Sequence, residues 1–253
     1  MKPKGVDCRK RDRAAGRRSC YRLGMVSLDL PLQEPQSQTA TRARILDVAE
    51  QLFAEHGVAE TTIRKITDTA HVNVAAVNYH FGGKDKLVRA VIDRRMLSLE
   101  QARGARLDAV ENLAEGEGRA PTTAELVEAL VAPLFEQALE GDSGWRHFIR
   151  LVSRLPWEPG IEELAPSPEA LKVFARFDEA LRRAAPHLAQ DDAARLWRLG
   201  FMRGATQHTL LMLTAFKMGR IPKEAPFAEA MATDVDTIQR QLVTFVAAGL
   251  SAR

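Results

Sequence analysis

The stretch TTIRKITDTAHVNVAAVNYHF, residues 61–81, constrains the fold more than any other part of the sequence. Ile63, Ile66 and Ala70 have the spacing that places apolar side chains on one face of a helix, and the threonines before them can cap its first turn. Asn73 follows, and asparagine both tolerates the backbone of a turn and caps the next helix. The pattern therefore predicts two short helices joined by a tight turn.

The second of these helices, from Val74 to Phe81, has the side chains of a helix that lies in a DNA groove. Val77 and Phe81 are spaced to face a core, which leaves small, amide and aromatic groups on the opposite side. We expect that side to present Ala75, Ala76, Asn78, Tyr79 and His80. Such groups can contact phosphates and base edges, as the second helix of a helix-turn-helix does. Double-stranded DNA is the predicted partner.

The flanking sequence predicts one helix before this motif and a long one after it. Residues 41–56, TRARILDVAEQLFAEH, carry an apolar stripe at helical spacing, and Gly57 stands where a left-handed helix end is expected. A long amphipathic helix is expected to begin at Lys84. It is too long for a small head, so we expect it to bridge two domains, with the boundary near Arg95.

The fold class predicted for the whole chain is all-α. Ala, Leu, Arg and Glu dominate the 253 residues, and no alternating pattern typical of strands is sustained. The chain is divided into a basic, disordered tail at 1–38, a three-helix helix-turn-helix head at 39–95 and a larger helical domain at 96–253.

Positive charge is concentrated in the tail. Residues 1–22 carry nine Lys or Arg and two Asp, a balance of +7 within a chain total of +3, which leaves −4 for the rest. The tail is either a basic arm that adds non-specific DNA affinity or an upstream extension, residues 1–24, with Met25 as the alternative first residue. Cys8 and Cys20 both lie in this segment, which predicts no disulfide framework and no metal site.

Several classes of function are disfavoured by what the sequence lacks. It contains no glycine-rich phosphate loop, no G-x-S-x-G, no H-E-x-x-H and no Cys/His cluster, and its six histidines are scattered. We therefore predict no enzymatic activity, no cofactor and no metal. No segment approaches the roughly 20 apolar residues of a membrane helix, so we expect a cytoplasmic protein with no membrane partner.

The segment ILDVAEQLFAEHGVAETTIRKITDTAHVNVAAVNYHFGGKDKLVRAVI resembles the DNA-binding head of TetR-family transcriptional regulators, over about residues 41–95. The resemblance rests on the helix ending in FAEHG, the TT-I-x-x-I opening, the A-x-V-N turn, the NYHF block, and Gly-Gly-Lys before L-x-x-A-V. More narrowly, AAVNYHF and the late FVAAGLSA are similar to a branch that senses fatty acids and represses lipid-metabolism genes.

The resemblance implies roles for eight residues of the head. Contacts to phosphates are implied for Thr62, Tyr79, His80 and Lys84, and contacts to base edges for Arg64, Ala75, Ala76 and Asn78. Two alternatives remain: Tyr79 half-buried against the first helix, and Arg64 only neutralising phosphates. Lys84 can also pair with backbone at the start of the fourth helix. Thr67, Thr69 and His71 depart from the family pattern, which commonly has glycine in place of His71.

For the larger domain, the resemblance implies dimerisation and ligand binding. Gly200 and Gly204 would let a partner helix approach closely, or would only accommodate a neighbour within the subunit. For a ligand, Arg150 or Arg203 would anchor an acyl carboxylate or phosphate, unless the arginines near Arg150 form a solvated face. An apolar channel would be lined by Trp145, Phe174, Trp197 and Phe201, and His208 is a further candidate.

The function implied is that of a ligand-responsive repressor that binds a palindromic operator as a homodimer. A small apolar effector, a fatty acid or acyl-CoA, would release it. The alternatives are a sensor of drugs or aromatic compounds, an activator, and a helical protein-interaction module without DNA binding.

Overall fold

The computed structural model describes residues 35–158 and 166–252, and within these ranges the secondary structure is helical, with no strand. The all-α prediction is confirmed. The helices are α1 (Pro35–His56), α2 (Ile63–Ala70), α3 (Val74–Phe81), α4 (Lys84–Gly116), α5 (Thr123–Glu140), α6 (Ser143–Arg154), α7 (Pro168–Ala184), α8 (Asp192–Lys217), α9 (Ala228–Met231) and α10 (Val235–Ser251).

Helix α1 begins earlier than the sequence pattern predicted. It starts at Pro35 rather than near residue 41, so the last residues of the segment assigned to a disordered tail are helical. Proline is well tolerated in the first turn of a helix because the amide it lacks has no partner there. The rest of the basic tail, Met25 and both cysteines lie outside the described residues.

The two helices of the motif begin at the expected capping residues. The Thr62 hydroxyl accepts a hydrogen bond from the Lys65 amide at 3.1 Å, and the Asn73 side chain accepts one from the Ala76 amide at 2.9 Å. Between the helices, His71 ends α2 in left-handed backbone, with φ of 53° and ψ of 48°. That conformation favours glycine, which gives a physical reason for the glycine common at this position in the family pattern.

The head has its own apolar core, built from α1 to α4. Phe53 of α1, Ile66 of α2, Val77 and Phe81 of α3, and Leu87 of α4 are all buried in it. The core fixes which face of α3 points outward, because Val77 and Phe81 turn their side chains inward.

The larger domain packs α5 against α4, α7, α8 and α10 around a second apolar core. Two features join it to the head. Helix α4 runs unbroken from Lys84 into the larger domain, as predicted for the bridging helix. Helix α6 lies along α1 and places Leu151 in the core of the head.

Candidate nucleic-acid interface and ligand cavity

The outward face of α3 is open to solvent. Tyr79 has 74% of its surface exposed, so the alternative that it is half-buried against the first helix is wrong. Ala75 and Asn78 are also exposed. His80 is half-buried and meets the Tyr79 ring edge-on, with the ring centroids 5.0 Å apart. Ala76 is half-buried against the head core, which leaves less of it available than the sequence suggested.

The remaining predicted DNA contacts lie on α2 and at the start of α4. Arg64 is exposed and lies 3.8 Å from Asp68, a separation that makes a weak surface ion pair. Thr62 is exposed next to it. The Lys84 ammonium donates to the carbonyl of Ala59 at 3.3 Å, so its backbone partner is the α1–α2 loop and not the start of α4.

Sequence reasoning missed Val74, which is exposed at the first position of α3 beside Ala75. Its apolar side chain was not assigned to the outward face. The sequence did contain the information needed, because the capping residue Asn73 identifies Val74 as the first residue of the helix. Arg42 adds a cation near the other end of α3, with its guanidinium 5.1 Å from the centre of the Phe81 ring.

A cavity of about 660 Å³ lies in the larger domain between α4, α5, α6, α7 and α8. Its lining is mainly apolar, including Met96 and Leu99 of α4, Phe148, Ile149 and Val152 of α6, Phe174 of α7, and Leu199, Met202 and Leu210 of α8. A volume of this size falls within the roughly 300–1,000 Å³ typical of small-molecule sites.

Most polar groups around the cavity already have partners. Arg89 pairs with Asp93, and Arg103 donates to the carbonyl of Leu130 at 3.0 Å. Arg103 also pairs with Glu100, whose pKa burial raises. Arg203 and Gln207 also line the cavity. Within the described part of the chain, the structure gives neither of these two side chains a hydrogen-bond or ion-pair partner.

The structure brings only two of the six predicted ligand contacts, Phe174 and Arg203, to this cavity. Trp197 and Phe201 stack on each other on the exposed outer side of α8. Each residue of a helix is rotated about 100° from the last, so their row faces away from the row of Leu199, Arg203 and Leu210. The prediction that these two rings line the same channel is wrong.

The other predicted contacts also lie elsewhere. Arg150 is half-buried on α6, outside the cavity lining, and His208 borders a separate cleft between α8, α9 and α10. Trp145 is buried against Leu99 and Phe148 and does not line the cavity. The residues of α6 that do line the cavity were not predicted, because only Trp145 and the arginines of that helix, and not its other apolar residues, were considered as ligand contacts.

Gly200 and Gly204 do not accommodate a neighbour within the subunit. A Cβ atom at either position would have no other atom within 4 Å, so the intrasubunit alternative is wrong. Both glycines are exposed on α8, and Gly200 also lies at the edge of the cavity. The surface around them is therefore open to a second chain.

A network of ion pairs joins α1, α4 and α6. Glu50 of α1 is 1% exposed and accepts two hydrogen bonds from Arg95, at 2.8 and 2.9 Å, and one from Arg94 at 2.7 Å. Arg95 also donates to Asp142, the capping residue of α6, at 2.8 and 2.9 Å. One guanidinium thus bridges a carboxylate of the head and a carboxylate of the larger domain.

The contact between Arg95 and Asp142 favours the charged form of both groups. Burial opposes the charge on Arg95, but hydrogen bonds to Glu50 and Asp142 outweigh it and raise the Arg95 pKa. The same contact with Arg95 lowers the pKa of Asp142. Arg95 also lies 5.2 Å from the centre of the Trp145 ring, which excludes water from one side of it.

An exposed recognition helix on a three-helix head, continuous with a larger helical domain, defines a helix-turn-helix transcriptional regulator. Comparison with known families agrees with this class. The family described as "Bacterial regulatory proteins, tetR family" matches residues 45–91, and "Tetracyclin repressor-like, C-terminal domain" matches residues 128–249. The chain belongs to the TetR family of transcriptional regulators.

Individual relatives are also regulators. The transcriptional repressor Rv3405c of Mycobacterium tuberculosis is 32% identical, in an alignment that covers 60% of this chain and 94% of that protein. The regulator TtgR of Pseudomonas putida is 43% identical over 53 residues, which are 21% of this chain and 25% of TtgR. Among solved structures, NalD of Pseudomonas aeruginosa aligns with a TM-score of 0.44 and 22% identity, over 84% of this chain and 97% of that one.

No helix in the described ranges, 35–158 and 166–252, is long and apolar enough to cross a membrane.

Proposed function

We propose that this chain is a dimeric repressor whose recognition helix α3 reads a palindromic operator and whose cavity binds an effector that releases the DNA. The observation that carries the proposal is the outward face of α3, where Asn78 and Tyr79 are exposed while Val77 and Phe81 hold the helix on its core. A helix presented in this way fits the major groove.

Within the head we assign phosphate contacts to Thr62, Tyr79, His80 and Lys84, and base contacts to Arg64, Ala75, Ala76 and Asn78. Val74 joins the base contacts, because it is exposed at the start of the helix. An exposed arginine can bind guanine bidentately, and apolar groups can touch a thymine methyl.

The outer faces of α8 and α10 support the dimer. Trp197 and Phe201 of α8 are 69% and 65% exposed, and Phe245 of α10 is 71% exposed. Rings this large, exposed together on packed helices, mark a surface that is covered by a partner. Gly200 and Gly204 lie on the same helix and would let the partner helix approach closely. A two-fold dimer would match half-sites one DNA turn apart.

A long-chain fatty acid or acyl-CoA suits the cavity in the larger domain. Its apolar lining would hold an acyl chain, and Arg203 is an exposed cation at its edge with no partner among the residues that the structure describes. A guanidinium forms strong, paired hydrogen bonds with a carboxylate or phosphate. Gln207, one turn further along α8, could donate a third hydrogen bond.

Substitutions on α3 test the assigned roles in DNA binding. We expect Tyr79→Ala to weaken binding to all DNA sequences similarly, and Asn78→Ala to lose about 1–3 kcal/mol of discrimination at one base position in each half-site. Binding to the DNA upstream of the chain's own gene, and to single-base variants of it, measures both effects. Identical behaviour of the two variants would refute this division of roles.

Substitution of Arg203 tests the effector. We expect palmitate or palmitoyl-CoA to release that DNA, and Arg203→Ala to weaken binding of the same ligand about 10- to 100-fold, the value of a charged hydrogen bond. Arg150→Ala is the matched control, since Arg150 lies outside the cavity lining, and should leave binding unchanged. If a drug or aromatic compound releases the DNA and neither lipid does, the effector belongs to that class of compound and the lipid assignment is wrong.

A further inference from the structure

Glu158, in the larger domain, is hydrogen-bonded to the backbone of the DNA-binding head. One of its carboxylate oxygens, Oε2, accepts hydrogen bonds from the amides of Val58 and Ala59, both at 3.1 Å. Its side chain is 11% exposed, so these charged hydrogen bonds are largely shielded from water. The two amides belong to the α1–α2 loop, residues 57–62, about a hundred residues away in the sequence.

The surrounding residues are arranged for this contact. The Arg154 guanidinium lies 3.7 Å from the other Glu158 oxygen and donates to the carbonyl of Glu55 at 3.3 Å. Gly57 has a φ of +90°, and a Cβ atom there would lie 2.5 Å from Glu158 Oε1 and 2.7 Å from Arg154 Nη2. The absent side chain at Gly57 is what lets the carboxylate reach the loop.

The loop that Glu158 holds positions the helix-turn-helix. The buried Thr61 hydroxyl donates at 2.7 Å to the carbonyl of Gly57, and Thr62 caps α2. The Lys84 ammonium donates to the carbonyl of Ala59 in the same loop. A shift of this loop would therefore move the start of α2 and the contact made by Lys84.

The segment that leads from α6 to Glu158 borders the cavity. Leu155 and Pro156 form the short turn between α6 and Glu158, and both line the cavity. They are separated from Glu158 by two residues or fewer. A molecule that fills the cavity and displaces this turn would displace Glu158 as well.

We infer that Glu158 is a positioning residue: it fixes the α1–α2 loop in the arrangement that binds DNA, and an effector that displaces Leu155 and Pro156 withdraws it. The inference rests on the proposed function, because the ligand is the effector of the same cavity. Effector binding would shift the population of molecules from one arrangement of the α1–α2 loop to the other.

Residue-resolved amide hydrogen exchange tests the role of Glu158 without DNA. We expect Glu158→Ala to raise the exchange rates of the Val58 and Ala59 amides about 10- to 100-fold, as follows from losing charged hydrogen bonds. The Leu126 amide, bonded to the carbonyl of Thr122 at the start of α5, should keep its rate. Glu158→Gln retains an oxygen acceptor and should give an intermediate rate. Glu224→Ala, at an exposed carboxylate elsewhere, is the matched control and should match the unsubstituted chain.

Palmitate is the probe for regulation. In the unsubstituted chain, it should raise exchange at Val58 and Ala59. In Glu158→Ala, exchange should already be fast and should not change with palmitate, and DNA affinity should be low with and without it. The inference would be overturned if the exchange rates of the Val58 and Ala59 amides in Glu158→Ala were within twofold of those in the unsubstituted chain. An equal response to palmitate in both proteins would also overturn it.

These outcomes are distinguishable from failure of the proposed function. If palmitate does not bind by calorimetry, the lipid assignment fails, while the ligand-free comparison of Glu158→Ala, Glu158→Gln and Glu224→Ala still decides whether Glu158 holds the loop.

Discussion

Glu50→Ala is expected to lower the free energy of unfolding by about 3–5 kcal/mol, because it deprives Arg95 and Arg94 of the buried carboxylate that both of them bind. Glu50 is the point where hydrogen bonds from two arginines of α4 converge on α1. Chemical denaturation monitored by circular dichroism measures the loss.

Asp47→Ala is the matched control. Asp47 lies on α1, like Glu50, and binds Arg94 at 2.6 Å, but the Asp47 side chain is 65% exposed. Exposed pairs contribute about 0–1 kcal/mol, so the control should lose no more than that. Equal losses for Glu50→Ala and Asp47→Ala would show that burial of the network does not determine its contribution.

Phe201→Glu is expected to prevent formation of the proposed dimer and leave a monomer. The carboxylate at position 201 would lie beside Trp197 in the proposed interface, where it would be buried without a cation, and the cost of that burial would prevent the two chains from associating. Light scattering during size-exclusion chromatography should give the 28.0 kDa mass of one chain instead of twice that value.

Loss of the dimer should also weaken binding to the palindromic site by about 100-fold or more, since the second half-site no longer adds to the first. Leu113→Glu is the control, because Leu113 is an exposed apolar residue near the end of α4, a different helix from those of the proposed interface. A dimeric Phe201→Glu protein would place the interface elsewhere.

The helix-turn-helix could be predicted from the sequence because its determinants are local. Asn73 and the threonines before α2 specify where two helices begin, and the spacing of Val77 and Phe81 specifies which face of α3 is buried. These interactions lie within a few residues of one another. The position of Tyr79 on the open face followed from the same spacing.

The cavity could not be predicted in the same way. Trp197 and Phe201 share a face of α8, as their spacing indicated, but spacing does not tell which face borders a cavity and which faces a partner. That choice depends on where α6 and α7 pack against α8. The contact of Glu158 with Val58 and Ala59 is similarly non-local, because an ordinary glutamate after a Pro-Trp turn carries no sign of a partner a hundred residues earlier.

Two copies of α3 are proposed to read a specific DNA sequence until a ligand in the cavity ends this binding. Fluorescence anisotropy of the purified protein should compare the DNA upstream of its own gene with a scrambled duplex of equal length, over a salt series. We expect the upstream DNA to bind about 1,000-fold or more tightly at moderate salt, with both affinities falling as salt rises. Equal affinities for the two duplexes at every salt concentration would show that α3 does not read the DNA sequence.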